Sequence, residues 1–278
     1  MYHNALYFLL YLFKTYIMKK LLYLFLAVLI VACSSDDGNN SNDGDNNNTL
    51  NCDVNPVQWI AYGDQEWTIE NACNITYRDG TPIPEVTDTT EWGNLTTGAW
   101  GYYDNDPAKP RLYNWFAVMG IHDADPNTPN KEFAPEGWHV PSDDEWTTLE
   151  EHLIANGYNY DGSSYNCSPC SDDQNKIAKA MASTTGWNVN QLDPGGPGND
   201  QSLNNSSGFN ALPVGLRSSY AGEQSYNESY EINFWSSTEL NTDKAWYRNL
   251  NHRFADLYRH GKNGNYKGSG FSVRFVRD

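Results

Sequence analysis

Pro141-Ser142-Asp143-Asp144-Glu145-Trp146 carries the strongest local instruction in the chain. Ser142 stands three residues before Glu145, the spacing of a capping box, and the acidic first turn suits the helix dipole. Behind it Trp146, Leu149, Leu153 and Ile154 fall on one apolar stripe that ends near Gly157. A second, shorter helix is expected over 173–182, with Ile177, Ala180 and Met181 facing inward. On either side the period changes. Trp59-Ile60-Ala61-Tyr62-Gly63 and Glu66-Trp67-Thr68-Ile69 read as strands about a Gly-Asp turn, followed by a loop through Asp79-Gly80-Thr81-Pro82. Downstream of a Gly/Pro/Asn loop at 193–198, residues 233–238, 245–248 and 254–258 read as strands whose inward parity is ambiguous. Asn263-Gly264 reads as a hairpin turn. Phe271-Ser272-Val273-Arg274-Phe275 alternates, so Phe271, Val273 and Phe275 should share a buried face. Strands, two helices and strands again make an α+β domain of short antiparallel strands and long loops.

Composition agrees. Aromatics reach 14% of 278 residues, with ten Trp and nineteen Tyr. A net charge of −17 argues against non-specific nucleic-acid binding. The length beyond residue 50 fits one domain, or two small ones at most.

Lys19 and Lys20, an apolar run from Leu21 to Ala32, and then Cys33 form a secretory signal with a lipobox-like end. Residues 1–32 are therefore expected to be a signal peptide, with Met18 as an alternative start, and Cys33 to carry lipid. Residues 33–50 form a polar tether without apolar surface to bury, and 51–278 the domain. Asp36-Asp37 beside the lipid site fits export to the outer face of an outer membrane, and equally an ordinary solvated linker. Export makes disulfides the default for the remaining cysteines; the pairing favoured is Cys52–Cys73 and Cys167–Cys170. Zinc at Cys-Ser-Pro-Cys is the alternative, with no second ligand pair nearby.

No nucleophile elbow, metalloprotease helix or phosphate loop is present, so no catalytic residue, metal site or cofactor is assigned. His139 reads as a packed structural histidine, and Asp144, Glu145, Glu150 and Glu151 as a solvated helix face. Asp123-Ala124-Asp125-Pro126-Asn127 starts like a calcium loop, but Thr128 and Ala134 stand where an EF-hand needs Gly and Glu.

The charge is uneven. From Lys244 onward eight basic residues face two acidic ones, a local +6. The candidate ligand-binding residues are Trp246, Tyr247, Arg248, Asn249, Asn251, His252, Arg253, Tyr258, Arg259 and His260, types that binding surfaces favour. Two readings stay open: a face for an anionic ligand, or internal balance of the acidic remainder.

Arg111-Leu112-Tyr113-Asn114-Trp115-Phe116-Ala117-Val118, Pro135-Glu136-Gly137-Trp138-His139-Val140-Pro141-Ser142, Asn205-Ser206-Ser207-Gly208-Phe209-Asn210-Ala211-Leu212-Pro213, Phe234-Trp235-Ser236-Ser237-Thr238 and Gly270-Phe271-Ser272-Val273-Arg274 follow in this order. Together they resemble the Fibrobacter succinogenes major paralogous domain, over about 59–278. The resemblance implies a C-type-lectin-like fold on secreted or lipid-anchored proteins and brings no established activity. Cysteines common in that family at the segment 100–102 and at the position of Phe275 are absent here. The cysteine pair of the related formylglycine-generating enzymes has no counterpart either. The expectation is a surface lipoprotein that binds an extracellular glycan or protein, through a C-terminal face that is a candidate for diversification. A polysaccharide-active enzyme and a structural envelope lipoprotein are the alternatives.

Overall fold

The computed structural model describes residues 58–164, 175–259 and 263–278, all within one compact unit, Asn48–Asp278. Its elements are β1 (Trp59–Tyr62), β2 (Gln65–Thr68), α1 (Thr89–Gly93), β3 (Trp100–Tyr102), β4 (Arg111–Tyr113), α2 (Trp115–Val118) and α3 (Asp143–Ala155). Then come α4 (Ala178–Met181), β5 (Leu216–Arg217), β6 (Ser225–Tyr226), β7 (Glu231–Glu239), β8 (Lys244–Asn251), β9 (Asn265–Tyr266) and β10 (Val276–Arg277). Small antiparallel sheets with few helices make this a mixed α+β domain.

β1 and β2 turn about Gly63, whose φ of 65° lies where glycine pays no steric penalty. β2 then accepts β10 on its free edge, Trp67 opposite Val276. The first and last described strands therefore close one sheet.

α3 forms as its cap dictates. Ser142 Oγ accepts from the Glu145 N–H at 3.2 Å, and Glu145 Oε2 accepts from the Ser142 N–H at 2.6 Å. Trp146, Leu149, Leu153 and Ile154 are all buried in one core cluster. Trp146 packs on Trp67, Phe209 and Phe234 at centroid distances of 4.6, 6.0 and 5.5 Å. Its indole N–H finds no acceptor among the described residues, so ring packing holds it.

The segment 271–276 runs between two core clusters. Phe271, Val273 and Phe275 share one cluster, as their alternation predicts. The opposite face is buried too: Val276 joins the other cluster, and Arg274 stacks on Phe209 at 4.7 Å. Regular strand is confined to β10 because Gly270, Phe271 and Ser272 bridge three different partners, Arg217, Tyr113 and Phe234.

Three local expectations fail for nonlocal reasons. The helix expected over 173–182 is the single turn α4; residues 173 and 174 lie outside the described residues. Asn175 is drawn off by Leu257 instead, donating to its C=O at 2.9 Å and accepting from its N–H at 2.6 Å. The same contacts interrupt the strand expected at 254–258, where only Tyr258 bridges, to Asn249. Glu150 is buried on the core side of α3, and His139 is exposed, its ring 2.5 Å from Glu145 Oε1. Both reverse the sequence reading. α1, β3, β4, α2, β5 and β6 have no counterpart in the sequence reading.

Arg248 on β8 explains Glu150. Fully buried, it donates through Nε to Glu150 at 2.5 Å and through Nη1 to Asp143 at 2.6 Å. Arg259 reaches the other Asp143 oxygen at 2.5 Å. Burial alone would raise the Asp143 carboxyl, but the guanidiniums of Arg259 and Arg248 outweigh it and hold the carboxyl below its ordinary value.

Two stability measurements follow from α3. By chemical denaturation, Ser142→Ala should cost about 1 kcal/mol and Trp146→Ala roughly 3–5 kcal/mol; near-equal small losses would contradict the packing described. Asp143→Asn should cost roughly 3 kcal/mol at neutral pH by leaving Arg248 undercompensated. Because the folded carboxyl titrates below its unfolded value of about 3.9, its stabilisation is complete above that pH and is lost as pH falls through the folded value. The gap between parent and variant should therefore narrow below about pH 4, and a constant gap would refute the ion pair.

Candidate functional site

Strand alternation resolves which side chains of β8 are available. Arg248 and Leu250 point into the core against α3, so Tyr247, Asn249 and Asn251 point the other way. β7 runs antiparallel with Glu231 opposite Asn251, Asn233 opposite Asn249 and Trp235 opposite Tyr247. This second face floors a groove with a cavity volume of about 970 Å³.

The floor is a ladder of side-chain amides. Asn249 Nδ2 donates to Asn233 Oδ1 at 2.9 Å, and Asn233 Nδ2 donates to Glu231 Oε1 at 3.2 Å. Asn251 Nδ2 reaches the other Glu231 oxygen at 3.4 Å. Each link is a cross-strand or same-strand neighbour, which is what holds these polar groups in fixed orientations. Burial pushes the Tyr247 phenol up, with a hydrogen bond to Asn265 opposing.

The walls are aromatic. Tyr160, Tyr220, Tyr226, Phe254 and Tyr266 line the groove while remaining 41–56% exposed. Tyr220 and Tyr266 meet edge to face at 5.9 Å, and the Lys244 ammonium sits 4.7 Å from the Tyr266 ring centroid. Tyr258, Asp193 and Asp256 complete the carboxylate and aromatic lining that bears on ligand chemistry.

Of the ten candidate residues, the groove brings together Tyr247, Asn249, Asn251 and Tyr258. Arg248 is excluded by its burial. Trp246 lies under Arg259, 3.9 Å from ring centroid to guanidinium, and Arg259 is turned to Asp143. His252 is buried, bonded to the Asn188 C=O at 3.1 Å and set edge to face with Tyr230; burial lowers its pKa. Arg253 is exposed outside the groove lining. His260 falls outside the described residues, as do Cys33, Cys52, Cys167 and Cys170. Cys73 is half-buried, its C=O accepting from Arg111 at 2.6 Å.

The local +6 is largely spent inside the molecule. Besides Arg248 and Arg259, Lys267 pairs with Glu239 at 2.6 Å and Arg277 with Glu66. Arg274 is buried, donating to Asn71 Oδ1 and to the Thr68 and Ile69 C=O groups, and burial lowers its pKa to about 10. The basic segment is thus mostly internal balance.

Period-2 reading of Glu231-Ile232-Asn233-Phe234 would have found Glu231 and Asn233. Tyr220 and Tyr226 sit in a polar loop with no periodic signal. Among the described residues no group of three or more His, Cys, Asp or Glu side chains is gathered to hold a metal.

No curated protein and no solved structure matches this chain. The family model described as the Fibrobacter succinogenes major domain matches residues 60–277, across both core clusters and the groove. With that share of its length covered, the chain belongs to the Fibrobacter succinogenes major domain family.

Proposed function

We propose that this protein is a lipid-anchored, surface-displayed binding module that takes an extracellular glycan or protein ligand in the groove beside β7 and β8. One observation carries the reading. A sheet face that could have been apolar instead holds an oriented amide ladder, with five exposed aromatic rings around it. Exposed aromatics gathered around convergent polar groups are the composition of ligand sites.

In this reading the domain is C-type-lectin-like, supported by the family and by short antiparallel strands with long loops. Lys19-Lys20, the apolar run 21–32 and Cys33 support lipidation and export, and Asp36-Asp37 supports display on an outer membrane. Cys52–Cys73 and Cys167–Cys170 are the disulfides that such a compartment favours. The groove carboxylates Asp193, Glu231 and Asp256 favour a second reading, cleavage of the bound glycan.

Cys33→Ala should move the domain from the membrane fraction to the soluble fraction. Retention of the variant in membranes would refute the lipid anchor. On an array of neutral and acidic oligosaccharides and surface proteins, Tyr220→Ala with Tyr266→Ala should abolish the parent's signal while leaving the melting temperature nearly unchanged. Persistence of that signal in the double variant would place the site elsewhere. Release of reducing ends from a bound glycan, lost in Glu231→Gln, would establish the enzymatic reading.

A further inference from the structure

Resting on the groove as the ligand site, we infer that its ligand is an uncharged, hydroxyl-rich chain, a neutral polysaccharide, and not an anionic partner. The electrostatics come first. Among the described residues three carboxylates, Asp193, Glu231 and Asp256, line the groove against two ammoniums, Lys176 and Lys244. Lys176 is itself paired with Asp161. The arginines that make the segment basic in sequence, Arg248, Arg259, Arg274 and Arg277, do not line it. A polyanion entering here would meet like charge.

Hydrogen-bonding capacity is the second consideration. A carboxylate accepts about four hydrogen bonds and donates none. Asn233 and Asn251 occupy one position on each Glu231 oxygen, leaving acceptor capacity for a ligand that brings O–H donors. The amide partners hold that carboxylate in place before any ligand arrives, so little ordering is required on binding. Sugar hydroxyls donate and accept at once, which suits a floor offering both amide and carboxylate groups.

Shape supplies the third. The exposed rings of Tyr220, Tyr226, Tyr266, Phe254 and Tyr160 stand around an elongated strand face. Flat apolar rings with polar tips offer stacking faces to the C–H surfaces of pyranoses at small cost in side-chain entropy.

The test is calorimetric titration of the purified domain with three neutral polymers (mixed-linkage β-glucan, xylan and galactomannan), with polygalacturonate, and with polylysine. At least one neutral polymer should bind. Its affinity should change less than about twofold between roughly 0.05 and 0.5 M salt. Glu231→Gln should weaken it about tenfold, through loss of charge-assisted hydrogen bonds, and Tyr266→Ala at least as much. For a polyanion the sign reverses, since Glu231→Gln removes a repulsion and strengthens binding. Groove-dependent binding of polygalacturonate or polylysine would overturn the neutral class while leaving the groove as the site. A neutral polymer whose binding ignores both substitutions would overturn the groove itself. Failure of all three neutral polymers to bind would refute the inference.

Discussion

The Arg248 side chain, buried between Asp143 and Glu150, fixes everything on β8. A guanidinium removed from water is tolerable only with its carboxylates in place, and breaking such a pair costs several kcal/mol. One residue of slip in the hairpin would put Arg248 in the groove and Asn249 against α3, leaving Glu150 buried without a cation and Asp143 with Arg259 alone. The ion pairs therefore set the register of β8 against β7. That register decides that Tyr247, Asn249 and Asn251 share the open face. Charge acts here as a specification of position, and the polar floor of the groove is its consequence.

The same residues show how far linear charge misleads. Eight basic residues in the C-terminal segment look like a patch because their partners are distant in sequence. Arg248 finds Asp143 and Glu150 more than ninety positions away, and Arg277 finds Glu66 across 211. Each acidic partner reads locally as a solvated helix or strand residue. Only the fold brings them together, and among the described residues the groove is left with more carboxylates than ammoniums.

What was legible in the sequence was local. The capping box at Ser142 and Glu145, the stripe from Trp146 to Ile154, the Gly63 turn and the shared face of Phe271, Val273 and Phe275 all depend on neighbours within one turn or one pleat. The expected helix at 173–182 and strand at 254–258 were lost to a nonlocal event, in which Asn175 took both backbone groups of Leu257. The groove was half legible. Its β8 residues lie within the candidate set, and the alternation of β7 carries Glu231 and Asn233, whereas the Tyr220–Tyr266 pair depends on loop placement that no local pattern encodes. The family resemblance, by contrast, was visible in full, since it depends on ordered motifs and not on their contacts.

The closure of β2 by β10 has a consequence for the order in which the molecule can assemble. Thr68 and Phe275 are bonded through both side chain and backbone across 207 residues of chain. A polypeptide made from its N-terminus exposes Trp67 and the free edge of β2 until Val276 and Arg277, the latter 211 positions after Glu66, appear. Arg274, seated on carbonyls of that same early segment, cannot dock before then either. Contacts of such long range slow folding and leave an unpaired edge open to other chains in the meantime. Removal of Arg274 to Arg277 would thus leave the first sheet unclosed and one core cluster open.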